Sequence, residues 1–106
     1  MEGPKFNIPE RIYVNNKEKE ILLNLAKREQ ESGALAFGVF GSRTISSRGK
    51  DIDVIIVKDG IRKGAVTKRE GIFHLTYLPP NFLEDPIANF GKQVYSSAVF
   101  IFNYLS

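Results

Sequence analysis

The stretch Asp51-Ile52-Asp53-Val54-Ile55-Ile56-Val57 constrains this chain more than any other. Successive side chains of a β-strand point to opposite faces. The unbroken run Val54–Val57 is therefore apolar on both faces and needs cover on both. A strand of that kind lies inside a sheet with helices packed on it. The two aspartates stand at its opening, one residue apart. They point the same way, with their bases roughly 6–7 Å apart from the rise per residue.

The remaining elements follow from periodicity and punctuation. Pro4 and Pro9 work against a helix, so residues 1–14 read as an irregular lead-in. Asn15 or Asn16 caps a helix over residues 17–32. Its apolar stripe is Ile21, Leu22, Leu25 and Ala26, and its charges form a solvated face. Strands are predicted at residues 35–40, 51–58 and 71–78. Asp59-Gly60 closes the second, and Pro79-Pro80 stops the third. Residues 60–70 are polar, basic and glycine-broken, and read as a loop or wide hairpin connection. Residues 81–91 read as a short helix interrupted near Pro86, and residues 92–106 as a strand followed by a helix. The expected fold class is α/β (α+β): a mixed β-sheet with helices packed on it, in one domain over residues 1–106.

Composition excludes several functions. With no cysteine and one histidine, the chain forms no disulfide, thiolate site or multi-histidine metal site. The net charge of +3 permits a phosphate-bearing partner. It does not by itself indicate nucleic acid, which needs a clustered patch, so nucleic acid is not an expected partner and a small basic nucleic-acid binder is only the third reading. No basic, apolar leader opens the chain, and the apolar run Ala98–Leu105 is well short of the roughly 20 residues that span a bilayer. A soluble cytoplasmic protein without membrane association is expected.

Two ionised carboxylates as close as Asp51 and Asp53 repel unless a cation neutralises them. The fitting ion is Mg²⁺ or Mn²⁺, which takes one or two protein carboxylates and fills its shell with water and phosphate oxygens. Taken alone, the pair also reads as two solvated acids at a strand start. Upstream, Gly41-Ser42 ends the first strand. It reads either as a turn or as a phosphate grip, in which glycine lets backbone N–H groups approach an anion and the hydroxyl adds a donor. Arg43, Arg48 and Lys50 lie between the two motifs and can offset phosphate charge.

Gly41-Ser42, a short spacer and then Asp51-Ile52-Asp53 in an apolar strand resembles the signature of the nucleotidyltransferases of the DNA polymerase beta superfamily. The chain's size and the preceding helix resemble the minimal nucleotidyltransferase branch. The motifs cover residues 37–57, and the wider likeness runs from about 17 to 95. The resemblance implies that Gly41 and Ser42 hold the phosphates of a nucleoside triphosphate, and Arg43 and Lys50, as nearby positive charges, are the further expected nucleotide-binding residues. It implies that Asp51 and Asp53 ligate Mg²⁺ or Mn²⁺, and that a nucleoside monophosphate passes to an acceptor hydroxyl. It further implies a small helical partner protein, as in toxin–antitoxin pairs.

The family's third carboxylate, on a following strand, is missing from Gly71–Leu78. His74 stands at the aligned position, with Thr76 next on the same face. An imidazole titrates near neutral pH and suits a metal ligand or general base. The same histidine also reads as a strand residue with an ordinary hydrogen bond. Glu70, Glu84 and Asp85 are the acids nearby that could substitute. The expected function is a metal-dependent nucleotidyltransferase with Asp51, Asp53 and His74 as catalytic residues. The alternative is a degenerate nucleotide-binding or antitoxin-type module that acts by binding a partner protein. The aromatic-rich tail from Tyr95 to Tyr104 reads as core filling, with self-association or a partner interface as the second reading.

Overall fold

The computed structural model describes residues 6–61, 66–83 and 89–105. Five strands form one mixed sheet: β1 (Ala34–Phe40), β2 (Ile52–Lys58), β3 (Val66–Glu70), β4 (Phe73–Leu78) and β5 (Val99–Asn103). Helix α1 (Asn16–Glu31) precedes β1 and helix α2 (Asn89–Ser97) precedes β5. The spatial order is β3-β4-β2-β1-β5. The β2–β4 pair is parallel, and the others are antiparallel. This is the expected α+β architecture with helices packed on a mixed sheet.

Each helix covers one face. Ile52, Val54 and Ile56 of β2 point into a core shared with Leu22, Leu25 and Ala26 of α1. Ile55 and Val57 point the other way, against Val94 of α2 and Phe82. Val54 to Val57 are all fully buried, as an apolar run in a central strand requires. Ile21, expected in the stripe of α1, lies at its margin and is 40% exposed. Helix α1 starts at Asn15, whose side chain accepts from the Glu18 amide at 2.8 Å while Glu18 accepts from the Asn15 amide at 3.0 Å. This reciprocal cap satisfies two backbone donors that the first turn would otherwise leave unpaired.

Two expectations need correction. Residues 66–70 are a strand rather than part of a loop. As an edge strand, β3 has almost no burial, so it carries none of the apolar alternation that marks a half-buried strand. Backbone pairing to β4 holds it instead. The tail runs helix then strand, the reverse of the expected order. Helix α2 buries Val94, and the β-branched and aromatic run Val99–Phe102 pairs with β1. The predicted break near Pro86 lies outside the described residues.

The lead-in, residues 6–14, has no helix or strand, yet Ile12 is buried and Phe6 stacks on Phe102, with ring centroids 5.1 Å apart. Phe102 also stacks on Phe37. Of the tail's aromatic residues, Phe102 fills core on one face and Tyr95 and Phe100 pack against the core on the other, whereas Tyr104 is 56% exposed. Among the described residues no helix is long and apolar enough to cross a membrane.

Gly38 lies where β5 packs tightly on β1, at an irregularity in their register. A Cβ there would lie 2.9 Å from the carbonyl oxygen of Val99 and 2.9 Å from the ring of Phe100. Backbone cannot yield as a side-chain tip can, so Gly38→Ala forces the two strands apart. The expected cost is about 1–3 kcal/mol, the range for overpacking. Urea denaturation checks it, and an unchanged midpoint would show that β5 does not pack this closely.

Candidate functional site

Four chain segments meet at one end of the sheet: the exit of β1, the entry of β2, the entry of β4 and the exit of β3. Strand pairing sets Phe40 beside Asp53, Asp53 beside His74, and His74 beside Arg69. Laterally paired residues share a face, so these four form one row across β1, β2, β4 and β3. The row lies on the α2 face, beyond the stretch where Ile55 and Val57 are covered. Asp51, two residues before Asp53, opens toward the same face.

The loop from β1 to β2 is built around an arginine. Gly41–Thr44 form a short 3-10 turn with Gly41 at φ 78°. Only glycine adopts that conformation without strain. A side chain at Gly41 would also meet Oδ2 of Asp53 at 2.8 Å, so the turn sits directly on the carboxylate because it begins with glycine. The Ser42 carbonyl accepts from the amides of Ile45 and Ser46 at 3.0 and 2.9 Å, which tightens the loop. Gly41, Ser42, Arg48 and Lys50 are exposed.

Arg43 turns the other way, and this corrects two expectations. Its guanidinium donates to both carboxylate oxygens of Glu18 at 2.9 and 3.0 Å, to the Tyr13 carbonyl at 3.1 Å and to the Gly49 carbonyl at 2.9 Å. The side chains of Arg43 and Glu18 are only 6% and 14% exposed. Arg43 was expected to face phosphate; here it is buried, neutralised and structural. The charges of α1 were expected to be solvated, but Glu18 anchors the loop and Glu29 is buried as well. Tyr77 donates to Glu29 at 2.9 Å, and Lys58 lies 3.7 Å from its other oxygen. Burial first and Glu29 second push the Tyr77 phenol up to about 12.

Each aspartate already has a neighbour of opposite or titratable charge. Arg69 donates to both oxygens of Asp51, at 3.1 and 3.2 Å. That pairing holds the Asp51 carboxyl below the usual range, with His74 and Lys50 adding smaller effects. Nδ1 of His74 lies 3.5 Å from Oδ1 of Asp53. All of these side chains remain partly exposed. Among the described residues no three His, Asp or Glu side chains are placed to share a metal ion. The donor chemistry of Asp51 and Asp53 nevertheless suits Mg²⁺ or Mn²⁺, which need no more than one or two protein carboxylates. Arg69 takes one lone pair of each Asp51 oxygen, so a divalent ion at Asp51 would compete with it for that carboxylate.

The substitute acids divide sharply. Glu70 pairs with Phe73, a residue of the α1-side core, and is held by Arg28 at 3.1 Å and Lys68 at 3.3 Å. It lies on the wrong face, because a shift of one residue along a strand reverses the direction of the side chain. Glu84 and Asp85 lie outside the described residues. Thr76 shares the face of His74 but is buried. Arg69 is the site residue that the sequence reading missed. Gly71-Ile72 between Glu70 and Phe73 forms a two-residue hairpin connection. Counting back across that hairpin places Arg69 opposite His74.

No protein-family model, curated protein or solved structure matches this chain.

Glu18→Gln is expected to destabilise the protein by about 2 kcal/mol at neutral pH, because it leaves a buried guanidinium without its charge partner. The Arg43 hydrogen bond holds the Glu18 carboxyl below 4.5 in the folded protein. A depressed carboxyl contributes stability above its unfolded value and loses it as pH falls through the folded one. The gap between wild type and variant should therefore be widest at neutral pH and close on acidification below about pH 4.5. Urea titrations at several pH values read it directly; a pH-independent gap contradicts the assignment.

Proposed function

We propose that this chain is a metal-dependent nucleotidyltransferase that moves a nucleoside monophosphate from a nucleoside triphosphate to an acceptor hydroxyl. The observation that carries the reading is the contact between the two sequence motifs: Gly41 lies against Asp53, whose Oδ2 would be 2.8 Å from a Cβ placed there. A phosphate seated on the Gly41-Ser42 turn would meet the carboxylates of β2. Asp51 and Asp53 would hold Mg²⁺ or Mn²⁺, whose chemistry is to polarise phosphoryl oxygens and neutralise their charge.

In this reading Ser42 and Lys50, both exposed, hold the triphosphate, and the loop fastened by Arg43 keeps them in place. The acceptor oxygen attacks the α-phosphorus in line. A bond forms from that oxygen to phosphorus, the bond to the bridging oxygen breaks, and pyrophosphate leaves with the electron pair. The hydroxyl proton passes to His74. Its Nδ1 faces Asp53, so Nε2 is the nitrogen that takes the proton. Positioning and charge stabilisation supply most of the acceleration, since no covalent protein intermediate is involved.

A second reading has its own support. Both aspartates are paired within the protein, Asp51 with Arg69 and Asp53 with His74. A site in which Arg69 already engages Asp51 and His74 stands 3.5 Å from Asp53 suits a module that binds nucleotide, or a small helical partner protein, without transfer.

The test is incubation of the full chain with each α-labelled nucleoside triphosphate and Mg²⁺ or Mn²⁺. It is run alone and with any small helical protein encoded beside it. The expected result is label transfer with pyrophosphate release, abolished by Asp53→Asn and reduced about a hundredfold by His74→Ala, the lower range for a general base. Nucleotide binding without transfer, even in His74→Asp, establishes the second reading. Absence of both binding and transfer overturns the two together.

A further inference from the structure

We propose that Arg69 is a phosphate ligand of this site, kept in reserve on Asp51 until a divalent ion takes that carboxylate. The inference rests on reading the site as one for a metal–nucleotide complex, and it concerns a residue outside both sequence motifs.

Arg69 occupies the β3 end of the row whose β1 end adjoins the Gly41-Ser42 turn, with Asp53 and His74 between. Three lateral spacings of about 4.8 Å separate the outer strands, so the ends of the row are roughly 14 Å apart. A guanidinium binds a carboxylate or a phosphate through the same planar fork of donors. Here the fork is spent on Asp51, with both terminal nitrogens engaged. The pair is exposed, 54% for Arg69 and 42% for Asp51. Exposed ion pairs add little stability and exchange easily. This is the opposite of Arg43, which is buried and tied to three partners. One arginine of the site is built to stay and the other to exchange.

The neighbours leave Arg69 one other use. Lys68 and Glu70 are salt-bridged to each other, and Glu70 faces α1. Among the described residues, the charged or titratable groups that the strand register and hydrogen bonds place with Arg69 are Asp51, Asp53 and His74, with Lys50 near Asp51. Once a divalent ion draws Asp51 away, Arg69 stands beside two acids that are themselves neutralised. The anion within its reach is then the phosphate chain bound to the same ion. Arg69 therefore competes with the metal when the metal arrives alone and cooperates when it arrives with a triphosphate.

These two roles give effects of opposite sign in one variant. Mn²⁺ alone is titrated by electron paramagnetic resonance, and Mn²⁺ with each of the four α,β-methylene nucleoside triphosphates by calorimetry. Arg69→Gln is expected to bind Mn²⁺ alone about two- to fivefold more tightly, since it removes a surface ion pair. It is expected to bind the Mn²⁺–triphosphate complex about tenfold more weakly, since it removes charge-assisted hydrogen bonds to phosphate. Arg69→Lys should keep the first competition and recover only part of the second affinity. If wild type binds and Asp51→Asn does not, but Arg69→Gln matches wild type or shifts both affinities the same way, the role of Arg69 is overturned and the site reading survives. If wild type binds no better than Asp51→Asn under either condition, the site reading fails and takes this role with it.

Discussion

The buried pairing of Arg43 with Glu18 is the constraint on which the rest of this arrangement depends. It ties the first turn of α1 to the loop between β1 and β2, and through the Tyr13 carbonyl it ties in the lead-in. Without it the loop would be a short exposed stretch of serine, arginine and glycine with little apolar burial to order it. A buried ion pair is costly to form, because both charges leave water. Its return here is position: the glycine that opens the loop is pressed against Asp53. Glu18 serves twice, since the same carboxylate closes the cap of the helix. Helix start, loop and strand entry are thus one mechanical unit.

Charge placement explains why the two arginines near the loop behave differently. Arg43 lies where the first turn of α1 meets the loop between β1 and β2, and it pairs there with an acid largely shielded from water. Arg69 projects from a solvent-exposed edge strand and meets Asp51 in water. The same side chain is a fixture in one place and an exchangeable counterion in the other, because the dielectric around each pair differs. The aspartates of β2 are therefore not a bare repelling pair. Arg69 relieves one, and His74 stands by the other.

Much of this was legible in residues 34–58. An apolar run wide enough for both faces, a glycine-led loop and a second apolar run leave little choice but a hairpin with its acids beside the turn. The identity of the buried arginine was not legible. Arg43, Arg48 and Lys50 look alike in sequence, and only the helix packed above decides which one is desolvated. Glu18 was hidden for the same reason: a helix charge looks solvated until the neighbouring element is placed. Edge strand β3 was missed because its stability comes from backbone pairing rather than from side-chain burial, so Arg69 went unnoticed with it. His74 was singled out through the family resemblance, as the residue standing where the third carboxylate is missing, and strand alternation then put Thr76 on the same face.

The central claim is that Asp51 and Asp53 form one metal-binding end of the sheet. Amide line broadening by substoichiometric Mn²⁺ in a nuclear magnetic resonance spectrum tests it most directly, because the effect falls steeply with distance from the ion. Selective loss of the signals of Gly41, Ser42, Asp51, Asp53 and His74 is expected. Those of Lys58, Asp59 and Gly60, at the far end of β2, should persist. Broadening centred on Lys58–Gly60 and the buried Glu29, or spread evenly over the surface acids, would contradict it.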